Sequence, residues 1–219
     1  MGRFSVPELK SFGQRITGGH IRCADYVVNR IRQDLGEIDC LMDVGCGTMT
    51  TTKAIAERLP ETRIVGCDIH NHSPKSLDYP PNLEYRRIEP YSVASLHLNP
   101  DVITLNGVVH HIPHDREEEF MADIHTALKP NGNLLIHEHQ LAENRIRRRI
   151  EYWQLCFSEF MINRLLERMS SSYNFFTRER LRRLLERNGF GVLNIEDTGH
   201  RFVTLPSINT NMALWCEKK

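Results

Sequence analysis

Net charge, long apolar runs and paired cysteines are all missing from this chain, and each absence narrows what it can be. Lysine plus arginine equals aspartate plus glutamate at 28 each among 219 residues, which excludes a protein that coats nucleic acid through global attraction and leaves only local patches to weigh. The apolar stretches, residues 41–44 and 133–136 among them, stop far short of the ~20 positions that a membrane span needs, so no transmembrane helix is expected. The cysteines, Cys23, Cys40, Cys46, Cys67, Cys156 and Cys216, contain no CxxC pair, and several lie inside apolar runs. Reduced, packed thiols fit them better than disulfides. Internal repeats, low-complexity tracts and Gly/Ser linkers are absent as well, and a chain this long buries a full core without staples. A single domain over 1–219 is expected. Residues 1–7 show neither an apolar segment nor a small-residue cleavage site, which points to a cytoplasmic location and no membrane partner.

What is present is a repeated change of period. Short continuous apolar runs alternate with helically spaced ones, the pattern of strands and crossover helices around a parallel sheet, so an α/β layered fold is expected. The segment 1–37 carries Ile21, Ala24, Val28 and Ile31 at helical spacing and reads as a helix leaning on the sheet. Strands are expected at 39–44, 63–68, 83–88, 101–105, 133–136, 192–195 and 211–216. Helices are expected at 49–59, stopped by Pro60, at 116–128, ended by Lys129, Pro130, Asn131 and Gly132, and from Thr177 onward. Three prolines with Asn71, Ser73 and Asp78 make 70–81 a long loop. One element exceeds simple alternation: a long helical pattern over 142–169, with Ile146, Ile150, Trp153, Phe157, Phe160, Met161 and Leu165 on one broad apolar stripe.

The chemically informative segment is the first strand, which runs into Gly45, Cys46 and Gly47 and then a helix. Two glycines permit positive φ and a close backbone approach, so a ligand can sit against the main chain at a helix N-terminus. Asp68 follows 21 residues after Gly47 at the end of the next strand, where an acid can accept hydrogen bonds from both hydroxyls of an adenosine ribose. Together they indicate a nucleoside cofactor. A dinucleotide needs a third glycine for close helix packing, and that position is Thr50.

These residues resemble the class I S-adenosylmethionine-dependent methyltransferases over roughly 40–219. Residues 43–48 look like the first motif of that family, 65–68 like its ribose-binding acid, 101–112 like its fourth-strand motif and 128–136 like the helix-turn-strand that follows. The resemblance implies a Rossmann-like, seven-stranded, mostly parallel sheet with helices on both faces, an antiparallel last strand, and a helical lid insertion at 142–173 after strand 5. It implies S-adenosyl-L-methionine as cofactor. By motif, the backbone at Gly45, Cys46 and Gly47 would hold the methionine moiety, with Asp43 orienting the turn and the ligand's ammonium. Asp68 would take the ribose, Ile69 and His70 would lie beside the adenine, Glu89 with Pro90 would stand near its amino group, and Asn106 with Gly107 would line the pocket below the sulfonium.

Methyl transfer from a sulfonium mainly requires alignment of donor and acceptor, with a base only where the acceptor must lose a proton. His110 and His111 follow the fourth strand, and His137, Glu138 and His139 follow the fifth, so both sets should reach the cofactor edge of a parallel sheet. His110, His137 and Glu138 are the candidate catalytic groups. No ligand spacing of the zinc type appears, and no metal is expected. The fourth-strand end lacks the Asn/Asp-Pro-Pro-Tyr sequence of amino-directed members, and no Lys-Asp-Lys-Glu set of ribose 2′-O methylation can be placed.

A small-molecule acceptor is therefore expected, with the stripe on 142–169 as its roof, as plain core, or as the face of a homodimer. Residues 141–190 hold 11 arginines against 6 glutamates, which keeps open an RNA substrate such as a cap guanine methylated at N7. A catalytically silent, methyltransferase-like interaction subunit is the remaining alternative.

Overall fold

The computed structural model describes residues 19–70, 79–165, 173–198 and 210–219. Side chains of 158–165 and 210 are outside that description. Strands β1 (Cys40–Val44), β2 (Arg63–Asp68), β3 (Leu83–Arg87), β4 (Val102–Asn106) and β5 (Asn133–Leu141) lie parallel. The sheet order is β3-β2-β1-β4-β5-β8-β7, with β8 (Thr210–Lys218) inserted antiparallel between β5 and β7 (Phe190–Asp197). The seven expected strands form this path, with the last one antiparallel. A two-residue β6 (Phe176–Thr177) pairs with the end of β5 and makes an eighth strand that no apolar run announced.

Alternation along the strands divides the core in two. Leu41, Ile64, Val102 and Leu135 point to one side, where helices α1 (Gly19–Asp34) and α2 (Thr50–Arg58) pack. Met42, Val65, Ile103, Leu134 and Ile136 point to the other, against α3 (Glu117–Ala127) and α5 (Arg178–Arg187). In α1 the buried arc is Cys23, Ala24, Val27, Val28 and Ile31. Ile21 falls at the margin of that arc in the first turn and stays exposed. Of the expected helical segment 1–37, residues 1–18 lie outside the described residues, as does most of the expected loop at 70–81.

Two expectations require correction. The fifth strand runs to Leu141, not Ile136, because β8 pairs with it from Asn133 to Gln140 and β6 adds a partner at Gln140 and Leu141. His137, Glu138 and His139 are therefore strand residues, not the loop after it.

The second correction concerns the long helix, α4 (Arg145–Leu165). Its N-terminus is capped by Asn144, whose side-chain oxygen accepts from the backbone N–H of Ile146 and Arg147 at 3.0 and 3.2 Å. The described part of the apolar stripe is not plain core, one of its three expected roles: Ile146 is 75% exposed, Trp153 and Phe157 are each 66% exposed, and Ile150 is exposed too. The inward side is narrow and mixed. Glu151 is buried and accepts from Ala142 N at 2.6 Å and Arg147 Nε at 2.7 Å, while Leu155 joins Leu141 and Phe175 in a small separate cluster. The stripe's remaining members, Phe160, Met161 and Leu165, have side chains outside the described residues, as does the segment 166–172.

Candidate active site

The carboxyl ends of β1, β2 and β4 meet around a buried carboxylate. Asp43 accepts from Thr52 Oγ1 of α2 at 2.5 Å, from Thr104 Oγ1 of β4 at 2.7 Å and from Asn106 Nδ2 at 2.9 Å. Burial pushes its carboxyl above the ordinary range, the three hydrogen bonds act downward, and nearby Asp68 adds to the rise. Cys23 of α1 extends the set by donating its thiol to Asn106 Oδ1 at 3.0 Å. Asp43 thus fixes the ends of two strands and the start of a helix at once.

The glycine turn follows. Gly45 and Cys46 donate their N–H groups to Cys67 O at 2.8 and 3.1 Å, which carries β1-β2 pairing past the strand ends. Gly47 donates instead to Asp68 Oδ2 at 2.9 Å, and the other oxygen of Asp68 accepts from His70 N at 2.8 Å. Each carboxylate oxygen keeps a second lone pair for a ligand hydroxyl. The turn alternates through positive φ at Gly45 (73°), Gly47 (53°) and Met49 (62°), and Met49 is held there by complete burial. A Cβ on Gly45 would strike Val108 Cγ2 at 2.5 Å, whereas one on Gly47 would meet nothing within 4 Å. Open space above Gly47, with a two-oxygen acceptor beside it, is what a bound nucleoside requires.

The other candidate binding residues surround that space unevenly. Ile69 and His70 are exposed just beyond Asp68, and His70 O accepts from Tyr85 OH at 2.5 Å. Ile88 N donates to Asp68 O at 3.0 Å, so Glu89 and Pro90, both exposed, leave β3 directly alongside the acid. Gly107, at φ 66°, turns the chain after Asn106 and leads into a short turn at Val109–His111.

That turn carries His110, which meets Glu138 of β5. His110 Nδ1 lies 2.7 Å from Glu138 Oε1, and its backbone N–H reaches Glu138 Oε2 at 3.3 Å. Both side chains are almost fully buried. The His110 ring also comes within 3.9 Å of the position a Cβ would take on Gly107, which places the pair next to that turn. Burial works to raise the Glu138 carboxyl, but the charge and hydrogen bond of His110, with help from His139, outweigh it and leave it lowered to about 2. Glu138 is an anion that holds the His110 ring by its Nδ1.

His137 stands apart from this pair. Alternation sends it to the opposite side of β5, where its Nε2 is 3.0 Å from Thr198 Oγ1. His139 reaches Asn211 Oδ1 with Nδ1 at 2.8 Å, and its ring centroid is 5.3 Å from that of His110. His110, Glu138 and His139 each offer one ligand atom within 4.8 Å of the others. The hydrogen bond between Nδ1 and Oε1 already joins two of them.

Rings gather beside it. Phe175 stacks on His110 at 5.3 Å, Tyr173 stacks on Phe175 at 5.9 Å, and Tyr152 of α4 meets Phe175 edge-on at 6.0 Å. None of these three was a sequence candidate. Tyr173 and Phe175 lie in a non-periodic stretch, and Tyr152 lies outside the apolar stripe of its helix. Thr52, Thr104 and Cys23 were missed for a related reason: polar atoms inside apolar patterns show no spacing that ties them to Asp43.

The arginines do not form a phosphate-binding row on α5. Arg178 pairs with Asp197, Arg180 with Glu117, Arg182 with Glu186, Arg183 with Glu179 and Arg187 with Glu118.

A family model described as a methyltransferase domain matches residues 20–195. Demethylspheroidene O-methyltransferase of Rhodobacter capsulatus is 26% identical over 175 residues, 78% of this chain and 41% of that protein; the chain thus spans well under half the length of this curated relative. The fold resembles Burkholderia thailandensis 1,6-didemethyltoxoflavin-N1-methyltransferase, solved with S-adenosylhomocysteine, at a TM-score of 0.64 and 15% identity over 100% of this chain and 92% of that one. It also resembles magnesium protoporphyrin IX methyltransferase from Synechocystis PCC 6803 at a TM-score of 0.63 and 15% identity, over 100% of this chain and 90% of that one.

Two tests arise from this geometry. Gly45→Ala should destabilise the protein by about 2 kcal/mol more than Gly47→Ala, since only the first adds a clash with the Val108 side chain to the strain of positive φ; equal losses in thermal melts would contradict the packing of Val108 on the turn. Because the Glu138 carboxyl is depressed on folding, its stabilisation is present above the ordinary carboxylate pKa and is lost as pH falls toward 2. Glu138→Gln should therefore destabilise the protein at neutral pH and flatten the acid limb of stability, as measured by urea unfolding at several pH values. An unchanged acid limb would mean that Glu138 carries no buried charge.

Proposed function

This chain belongs to the class I S-adenosylmethionine-dependent methyltransferase family, and on that footing we propose that it methylates a hydroxyl on a small planar acceptor. The observation that carries this reading is the buried His110–Glu138 pair beside Gly107. An acceptor without a proton to lose would have no use for it.

The binding part of the reading rests on the turn. Asp68 would take the ribose hydroxyls on its remaining lone pairs, the open space over Gly47 would admit the ligand against the backbone, and Ile69 with His70 would flank the adenine. Glu89 and Pro90, exposed alongside Asp68, suit the outer end of the same pocket. Asp43 acts through Asn106, which it holds at the mouth below Gly107, and through the turn whose first residues follow it; any contact with the ligand's ammonium would be made there. When bound, the cofactor supplies a methyl group on positively charged sulfur. The protein then has to place the acceptor oxygen in line with that methyl and exclude water, and positioning of this kind accounts for on the order of 7–11 kcal/mol in favourable cases.

His110 supplies the base. Glu138 engages Nδ1, so the ring takes the acceptor proton at Nε2 and the resulting charge is balanced by an anion already in place. The rings of Tyr173, Phe175 and Tyr152 offer flat apolar surface beside His110, which favours a planar acceptor, and α4 covers this cluster as a lid through Tyr152 and Leu155. An RNA acceptor is less well supported on α5, whose arginines face carboxylates of the same protein.

Asp68→Asn should weaken S-adenosylmethionine binding about 10–100-fold by removing a charge-assisted acceptor, as read by calorimetry, with little change in the melting temperature of the ligand-free protein. Unchanged affinity would remove Asp68 from the site. Across a panel of phenols with labelled methyl donor, His110→Ala should lower turnover about 10²–10⁴-fold while cofactor affinity holds. Turnover indifferent to that substitution would overturn the general-base role.

A further inference from the structure

The outward side of α4 is left unexplained by methyl transfer. Ile146, Ile150, Trp153 and Phe157 recur at intervals of four, three and four residues, so they form one continuous stripe over about three turns. All four are exposed, and they lie opposite Glu151 and Leu155, the residues by which the helix is anchored. Arginines border the stripe: Arg145 and Arg149 on one margin, Arg147 on the other. Arg147 is engaged with Glu151, whereas among the described residues Arg145, Arg148 and Arg149 have no carboxylate partner. The arginines of α5 differ in that each is paired within the protein.

We propose that this side of α4 is a docking surface for an anionic lipid bilayer. An amphipathic helix with Trp, Phe and Ile on one side and arginines at its margins lies in the plane of a membrane interface, with its apolar residues among the upper acyl chains and its guanidinium groups at the headgroup phosphates. The charge pattern favours this occupant over a second copy of the chain, whose arginines would face those of the first. Area favours it too: four side chains offer a few hundred Å², against the roughly 800 Å² per partner of a stable dimer. Docking places the bilayer about 10 Å, one helix diameter, from the ring cluster that Tyr152 and Leu155 cover on the opposite side. That proximity bears on the acceptor only if the reading above holds; the docking itself does not depend on it.

The two tryptophans separate the signal cleanly, since Trp215 is 2% exposed and Trp153 lies in the stripe. Vesicles of equimolar phosphatidylcholine and phosphatidylglycerol should bind the protein in flotation and shift its tryptophan emission to the blue, and pure phosphatidylcholine vesicles should do neither. Added salt should weaken the binding. Trp153→Phe should keep flotation and lose the emission shift. The double variant Trp153→Asp, Phe157→Asp, at exposed positions, should abolish flotation with unchanged thermal melting. Arg145→Gln and Arg149→Gln should each lower vesicle affinity about fivefold. Absence of flotation, or equal binding to neutral vesicles, overturns the proposal, as does a dimer in sedimentation that the aspartate variant dissociates. Since no methyl donor or acceptor is present, a failure here leaves the catalytic reading standing, and the reverse also holds.

Discussion

One buried carboxylate organises the carboxyl edge of this sheet. Asp43 is the point at which β1, β4 and the start of α2 are joined by side-chain hydrogen bonds, and through Asn106 it reaches Cys23 of α1. Removing a carboxylate from water is costly, and three donors are what makes the arrangement tolerable. The same three bonds leave the strand ends little freedom to shift relative to one another. The glycine turn begins two residues beyond Asp43 and the Gly107 turn begins one residue beyond Asn106, so the two loops that shape the site are both tethered to a single group.

Strand alternation does the rest of the sorting. On β5, Glu138 and His137 are neighbours in sequence but face opposite sides, and only Glu138 meets His110. The pair is brought together by the parallel register of β4 on β5, in which Asn106 stands beside His137; four residues after Asn106 the chain has turned back far enough to set His110 over Glu138. The result is a hydrogen-bonded imidazole–carboxylate pair with very little access to water, a setting in which electrostatic interactions weigh more than at the surface. The aromatic rings that cover it belong to segments with few contacts of their own, Tyr173, Phe175 and α4, which dock through the small cluster around Leu141 and Leu155.

The regular part of the fold was legible because its signals are local. β2 occupies the expected 63–68, and the glycine turn with Asp68 was readable from spacing alone. β5 was not, since residues 137–140 are polar and owe their strand conformation to β8 and β6, whose pairing no local pattern announces. The reactive pair could be suspected from topology, but which histidine meets Glu138 depends on register and alternation, which a sequence does not display. The long helix teaches a further point. Periodicity correctly grouped Ile146, Ile150, Trp153 and Phe157 on one side, yet grouping does not say whether that side faces the core. Here buried Glu151, bonded to Ala142 N and Arg147, sets the orientation together with Leu155, and a buried glutamate is the residue that hydropathy would least select.

The position of an adenosyl ligand relative to the two turns decides what this edge of the sheet can do. A crystal structure with S-adenosylhomocysteine would test it most directly. The account requires the ribose hydroxyls on the carboxylate of Asp68, the ligand backbone over Gly47, and the sulfur facing Gly107 within reach of an acceptor oxygen on His110. A ligand seated at another edge of the sheet, or a sulfur turned away from the His110–Glu138 pair, would contradict it.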